Sequence, residues 1–205
     1  MDKNILNQSI EYLIKDKKIK PLINKYPIPK FSPNNNYFDA LSRSIIYQQL
    51  SVKVAKVIYN RFVSLFKKKI PTPNQYLNIK ISYLQDIGLS KQKINYINNV
   101  ANFFIEKDNE LQFETYSNQE IYKQLITIKG IGPWTIDMFM MFTLCKLDIL
   151  PVGDLGIKKA FKKLYNLKEL PSENFMKKKS LQWQPYRTIV CCYLWKIVDD
   201  DEDIW

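Results

Sequence analysis

The 205-residue chain contains no histidine. Its absence removes imidazole acid/base catalysis and the usual zinc sites, which are built from histidine or sets of cysteines. Cysteine is scarce as well. Cys145, Cys191 and Cys192 make an odd number with two of them adjacent, which gives neither a disulfide framework nor a four-cysteine metal or iron–sulfur pattern. Any catalysis must therefore rest on carboxylates, hydroxyls, amines or thiols. No apolar run reaches the roughly 18 residues that a membrane span needs, and the opening MDKNILNQSIEYLIKDKK lacks the charged, then apolar, then small-residue order of a signal peptide. The expectation is a soluble, intracellular protein without a membrane role, in the cytoplasm or nucleoid of a bacterium or the nucleus of a eukaryote. Glycine is rare too: of five in the chain, four fall between positions 130 and 156.

What is present is an apolar fraction of 46% spread along the whole chain and a net charge of +11. The first supports a real core and argues against global disorder. The second suggests a polyanionic partner such as nucleic acid. The cations are 28 lysines against three arginines, and richness in Lys, Asn and Ile is also what AT-rich codons produce without selection for binding. Charge alone leaves both explanations open.

Prolines at 21, 27, 29, 33, 71 and 73 mark loops. Between them the apolar spacing is helical. Residues 38 to 66 carry Leu41, Ile45, Ile46, Leu50, Val54, Val57, Ile58, Phe62 and Leu65 at intervals of three and four, and QQLS at 48 to 51 is the natural interruption. Further helices are predicted at about 74 to 86, 91 to 106, 118 to 127, 133 to 145, 155 to 165, 172 to 180 and 185 to 199. Gly88 suits a helix C′ position and Ser90 an N-cap. No alternating strand pattern occurs, so the fold class is all-α.

The segment IKGIGPWTIDMFMMF, 128 to 142, places Gly130 and Gly132 just before Pro133 and an apolar run. Glycine tolerates backbone angles that other residues avoid, and proline is preorganised for the first position of a helix. Open N–H groups at a positive helix end make a ready phosphate site, with Ile131 anchoring the loop. A compact turn with no ligand is the plain alternative.

Taken with IIYQQLSVKVA at 45 to 55, IGLSKQK at 87 to 93, VGDLGI at 152 to 157, and WQPYR and YLW between 183 and 195, this segment resembles the helix–hairpin–helix DNA glycosylase superfamily, of the DNA-3-methyladenine glycosylase II type. The resemblance spans most of the chain. It implies a two-lobed all-α fold, with a bundle at 38–147 that contains the hairpin (118–145), and a second lobe made of 1–37 plus 148–205. It also implies an active site in the cleft between the lobes. The implied activity is that of a monofunctional enzyme that hydrolyses the N-glycosidic bond of alkylated purines such as 3-methyladenine and 7-methylguanine. It would act as a monomer, by base flipping in double-stranded DNA, within base excision repair.

On that resemblance Asp154 matches the catalytic aspartate. A carboxylate beside the sugar stabilises the cation that develops as the C–N bond breaks, and Asp also suits a helix N-cap. Trp134 stands where strand-cutting relatives carry a nucleophilic lysine, and tryptophan cannot form a Schiff base. Trp134, Met138, Trp195 and Tyr47 match base-pocket positions, with Tyr37 a further candidate; an electron-rich ring attracts a cationic base, and each could instead be core. Met138 replaces a tyrosine found in some relatives. Gly130, Ile131 and Gly132 would meet a phosphate. The side chain that fills the gap left by the flipped base would be Leu50 or Ser51, with Gln49 beside it. Arg187 is either a phosphate contact or half of an ion pair, and Lys129 and Lys158 are further phosphate candidates. Asp137 and Asp148 read as surface or capping groups. No cofactor is expected, although relatives often hold Na+ or K+ with hairpin carbonyls, here those of Ile126, Ile128 and Gly130. The rival readings are a non-catalytic hairpin protein that only binds DNA, and a bifunctional lyase for oxidised bases.

Overall fold

The computed structural model describes residues 3–67, 70–107 and 111–198. These residues form helices and no strand. None of the helices is long and apolar enough to cross a membrane. The chain separates into two units, Asn34–Phe139 and Met1–Pro33 with Met140–Trp205.

The first unit contains α3 (Tyr37–Tyr47), α4 (Val52–Ser64), α5 (Pro73–Leu77), α6 (Ile81–Asp86), α7 (Lys91–Glu106), α8 (Asn118–Leu125) and α9 (Pro133–Met138). Helix α7 is its centre and packs on α3 and α5, while α9 packs on α3 and α8. Leu41, Ile45, Ile46, Ala55, Phe62, Ile97, Val100, Ile121, Leu125 and Ile136 are fully buried. The second unit holds α1 (Lys3–Leu13), α2 (Lys20–Lys25), α10 (Leu155–Leu164), α11 (Glu173–Lys179) and α12 (Arg187–Val198). Helix α12, RTIVCCYLWKIV, is apolar nearly all round. It buries seven of its twelve residues and lies along α10, as expected of a core helix rather than a surface one. The helix expected at 185 to 199 begins at Arg187, and its last expected residue, Asp199, lies outside the described residues.

Sequence chemistry sets most of the helix starts. Asn36, Ser51, Thr72, Ser90, Ser117, Asp154 and Ser172 each accept the N–H of the residue three positions on, a contribution of about 1 kcal/mol apiece. Gly88 has φ +100°, the left-handed conformation expected after α6.

Several expectations change. The single helix at 74 to 86 is two, because Lys80 is extended (φ −62°, ψ 133°) between α5 and α6. Its apolar residues did not form one stripe: Tyr76 and Leu84 are buried, but Ile81 is 58% exposed. The helix at 133 to 145 is α9 followed by a π-helical turn, Phe139–Thr143. The QQLS turn rotates α4 relative to α3, so that Ala55 and Phe62 face inward while Val54 and Val57 stay exposed. The boundary expected at 147 falls between Phe139 and Met140. Residues 146 to 149 are tied to the second unit: the Thr188 N–H donates to the Leu147 carbonyl, and its hydroxyl to that of Lys146. The N-terminal segment is itself helical, as α1 and α2.

Candidate functional site

In the second unit the tight turn Pro151–Asp154 delivers Asp154 to the N-cap of α10, with the Asp154 N–H donating to the Pro151 carbonyl at 3.0 Å. Asp154 Oδ1 accepts the Ile157 N–H at 2.8 Å and the Trp195 indole N–H at 2.9 Å. Two donors on one oxygen, one from the helix and one from a buried ring, fix the carboxylate in a single rotamer. A carboxylate held in advance of reaction needs no reorganisation as charge develops next to it.

Trp195 comes from α12 and is 7% exposed, with its ring 5.9 Å from that of Phe142. Its polar edge is committed to Asp154. Gly156 lies close beneath this contact: a Cβ there would lie 3.0 Å from Trp195 Cδ1 and 3.1 Å from Asp154 Oδ1, tighter than ordinary packing. The DLGI motif therefore carries a second feature that sequence reading missed, a small residue packed close against Trp195 two places after the aspartate. The spacing was visible, but nothing in one sequence says that a ring from residue 195 fills that space.

Arg187 is drawn into a bidentate pair with Asp148, Nε to Oδ1 at 2.5 Å and Nη2 to Oδ2 at 2.9 Å. Of its two expected roles, this is the ion pair. Asp148 also accepts from Gln184 Nε2 at 3.2 Å, so it is a structural partner and not a cap. Cys145 and Cys192 have thiols pushed up by burial, away from the thiolate that nucleophilic work needs.

In the first unit the hairpin between α8 and α9 is built on Gly130, at φ +107°. A Cβ at 130 would sit 2.3 Å from Tyr96 Cγ, so glycine is required both by backbone angle and by the ring beneath it. Gly132 is different. As the N-cap of α9 it has φ −110° and ψ 175°, angles any residue adopts, and a Cβ there would meet nothing within 4 Å. The expectation that both glycines take special angles holds only for Gly130; Gly132 leaves the start of α9 bare, with no side-chain cap. Ile131 is buried and anchors the loop. Lys129 is exposed, and its carbonyl accepts Asn99 Nδ2 at 2.9 Å.

Trp134 is half-buried on the first turn of α9, and Met138, one turn later, is 4% exposed. Tyr47 ends α3 with Arg43 over its ring at 5.3 Å. Tyr37 is locked in place: its hydroxyl donates to Glu114 and its ring packs edge-on against Phe113 and Phe139. In the QQLS turn Gln49 takes φ +58°, Leu50 is 37% exposed, and the Ser51 hydroxyl accepts the Val54 N–H. Gln48 joins this turn to the hairpin, donating from Nε2 to the Gly130 carbonyl at 3.3 Å and to Thr135 Oγ1 at 3.2 Å. Among the described residues no cluster of three or more Cys, Asp or Glu side chains could hold a metal ion.

An all-helical fold, a glycine hairpin opening α9 and an aspartate fixed at the next helix start define the class of helix–hairpin–helix DNA repair proteins. The chain belongs to the HhH-GPD superfamily of base excision DNA repair proteins, which it matches over residues 42–185. It is 31% identical over 183 residues to DNA-3-methyladenine glycosylase 1 of Schizosaccharomyces pombe, covering 88% of this chain and 80% of the relative. It is 33% identical over 175 residues to the alkylbase DNA glycosidase-like protein mag2 of the same yeast, covering 83% and 80%. The solved structure of the S. pombe 3-methyladenine DNA glycosylase Mag1 in complex with abasic DNA superposes with a TM-score of 0.85 at 29% identity, over 97% of this chain and 98% of that one.

Proposed function

We propose that this chain is a monofunctional DNA glycosylase that hydrolyses the N-glycosidic bond of alkylated purines, 3-methyladenine and 7-methylguanine among them, in double-stranded DNA. It acts as a monomer and leaves the abasic strand uncut. The observation that carries this reading is the Asp154 carboxylate, fixed at a helix start by the Ile157 amide and the Trp195 indole. The name of the S. pombe relative points the same way.

Alkylation at a ring nitrogen makes the purine cationic. When the C1′–N bond breaks, its electron pair neutralises the base, which departs without needing a proton from the protein. Positive charge is left on the sugar, where Asp154 stabilises it. Water then adds to C1′ and gives up a proton, for which Asp154 is the acceptor. Trp134 supplies a π face to the cationic base and, having no amine, forms no Schiff base with the sugar. The bare start of α9 receives a backbone phosphate. Leu50 is the side chain that fills the gap in the stack, since the Ser51 hydroxyl is committed to capping α4. A monovalent cation, Na+ or K+, would be held by the carbonyls of Ile126, Ile128 and Gly130 and would screen that phosphate. The Ile128 and Gly130 oxygens already accept from Ile131 N–H and Gln48, which leaves each one lone pair for an ion.

Duplex DNA carrying 7-methylguanine or 3-methyladenine tests the proposal. Free base should be released, the strand should break only after alkali, and borohydride should trap no adduct. Absence of release would leave a protein that binds DNA without chemistry, and a trapped adduct would make it a lyase.

A further inference from the structure

The turn that carries Leu50 holds an unusual backbone. Gln49 sits at φ +58° without being glycine, a conformation that costs about 1 kcal/mol or more and persists only where surroundings enforce it. The last carbonyls of α3, which have no partner further along the helix, receive one from outside. Lys93 Nζ donates to the Ile46 carbonyl at 2.7 Å and to the Gln48 carbonyl at 3.0 Å. The backbone of Lys93 is fixed as well, since its N–H donates to the N-cap Ser90 at 3.2 Å. The ammonium is partly desolvated there, and burial holds its pKa below the ordinary lysine value. A surface lysine would avoid that cost by staying in water.

Helix α7 repeats this pattern along one face. Lys93 holds the QQLS turn, Tyr96 underlies Gly130, and Asn99 donates to the Lys129 carbonyl. Gln48 closes the loop by bonding to Gly130 and Thr135. One rigid helix thus sets both the hairpin and the turn that presents Leu50.

We infer that Lys93 is a positioning residue for base extrusion: its ammonium, with the Gln48 amide as second brace, holds the Gln48–Ser51 turn in the one geometry that presents Leu50 to the duplex. This rests on the glycosylase reading above. Its effect belongs to the flipping step rather than to bond cleavage or general affinity for DNA.

The test is single-turnover release of 7-methylguanine by wild type, Lys93→Met, Leu50→Ala and the double variant, with 2-aminopurine beside the lesion reporting unstacking and circular dichroism reporting folding. Lys93→Met should slow release and unstacking about tenfold or more, because small misplacements of a positioned group are costly. Affinity for undamaged duplex should stay within about twofold, since that is set by phosphate contacts. The loss should shrink when the lesion is mispaired with thymine, where extrusion is cheaper. In the Leu50→Ala background Lys93→Met should cost less than about twofold, as expected of residues acting through one another. Full activity of Lys93→Met, equal loss on paired and mispaired lesions, or additive losses in the double variant would overturn the inference. If Lys93→Met does not fold, Gln48→Leu carries the same cycle, read by the mispair and double-variant outcomes, because its bonds to Gly130 and Thr135 also touch the hairpin that grips DNA. Inactive wild type would instead refute the glycosylase reading itself.

Discussion

The starts of α9 and α10 are built from the same physics and finished in opposite ways. Each presents N–H groups at the positive end of a helix. At α10 the protein fills that end with its own carboxylate, Asp154, and braces it with Trp195. At α9 the cap is Gly132, which offers no side chain to the first turn. A helix start that is already capped can hold a fixed negative charge toward a developing cation. One left bare can accept a negative charge from elsewhere. In the function proposed above, the difference between a catalytic carboxylate and a grip on DNA comes down to which residue stands at the N-cap.

The sharpest way to break this comparison is Asp154→Asn. Asparagine caps helices as well as aspartate does, so the melting temperature should hardly change. Base release should fall by about 10²-fold or more, the scale of removing a fixed electrostatic group from a transition state. A large loss of stability with residual activity near wild type would mean that Asp154 only caps. Trp195→Phe comes next. It keeps most of the ring and removes the N–H that fixes Oδ1, and release should drop by about tenfold through loss of orientation, with binding to an abasic duplex nearly unchanged; equal turnover by the variant would remove Trp195 from the site.

The two hairpin glycines sharpen the other half. Gly130→Ala meets both a positive φ and the Tyr96 ring, and should cost about 1–3 kcal/mol of stability in chemical denaturation. Gly132→Ala meets neither, so its stability should stay within about 0.5 kcal/mol. Its effect should show in DNA affinity alone, measured by fluorescence anisotropy, if the bare start of α9 is where a phosphate sits. Equal destabilisation by both substitutions would contradict the different roles assigned to them.

Much of this was legible before any fold. The all-helical class, the caps at Ser90 and Asp154, the break at QQLS and the hairpin each followed from local chemistry: apolar spacing, a side-chain oxygen three residues before an open N–H, glycine ahead of proline. Less accessible were the residues whose meaning lies in a partner far along the chain. Arg187 could be a phosphate contact or half of an ion pair until Asp148 was found within reach. Val54 and Val57 looked like core because spacing reports a face, and the turn at Gln49 decides where that face points. Gly130 and Gly132 looked alike, and a positive φ together with the Tyr96 ring sets Gly130 apart.

The sequence by itself determined the all-helical class, several of the helix starts and, through its motifs, the family. It could do so because capping, turn formation and periodicity act over a few residues and are written in neighbouring letters. Only the tertiary structure decided that Trp195 holds Asp154, that Gly156 leaves room for it, and that Lys93 and Gln48 brace the turn beside the hairpin. Those contacts join residues 41 to 87 positions apart in Asp154–Trp195, Lys93–Ile46, Lys93–Gln48, Gln48–Gly130 and Gln48–Thr135. No local rule links such positions, because their proximity is a product of core packing.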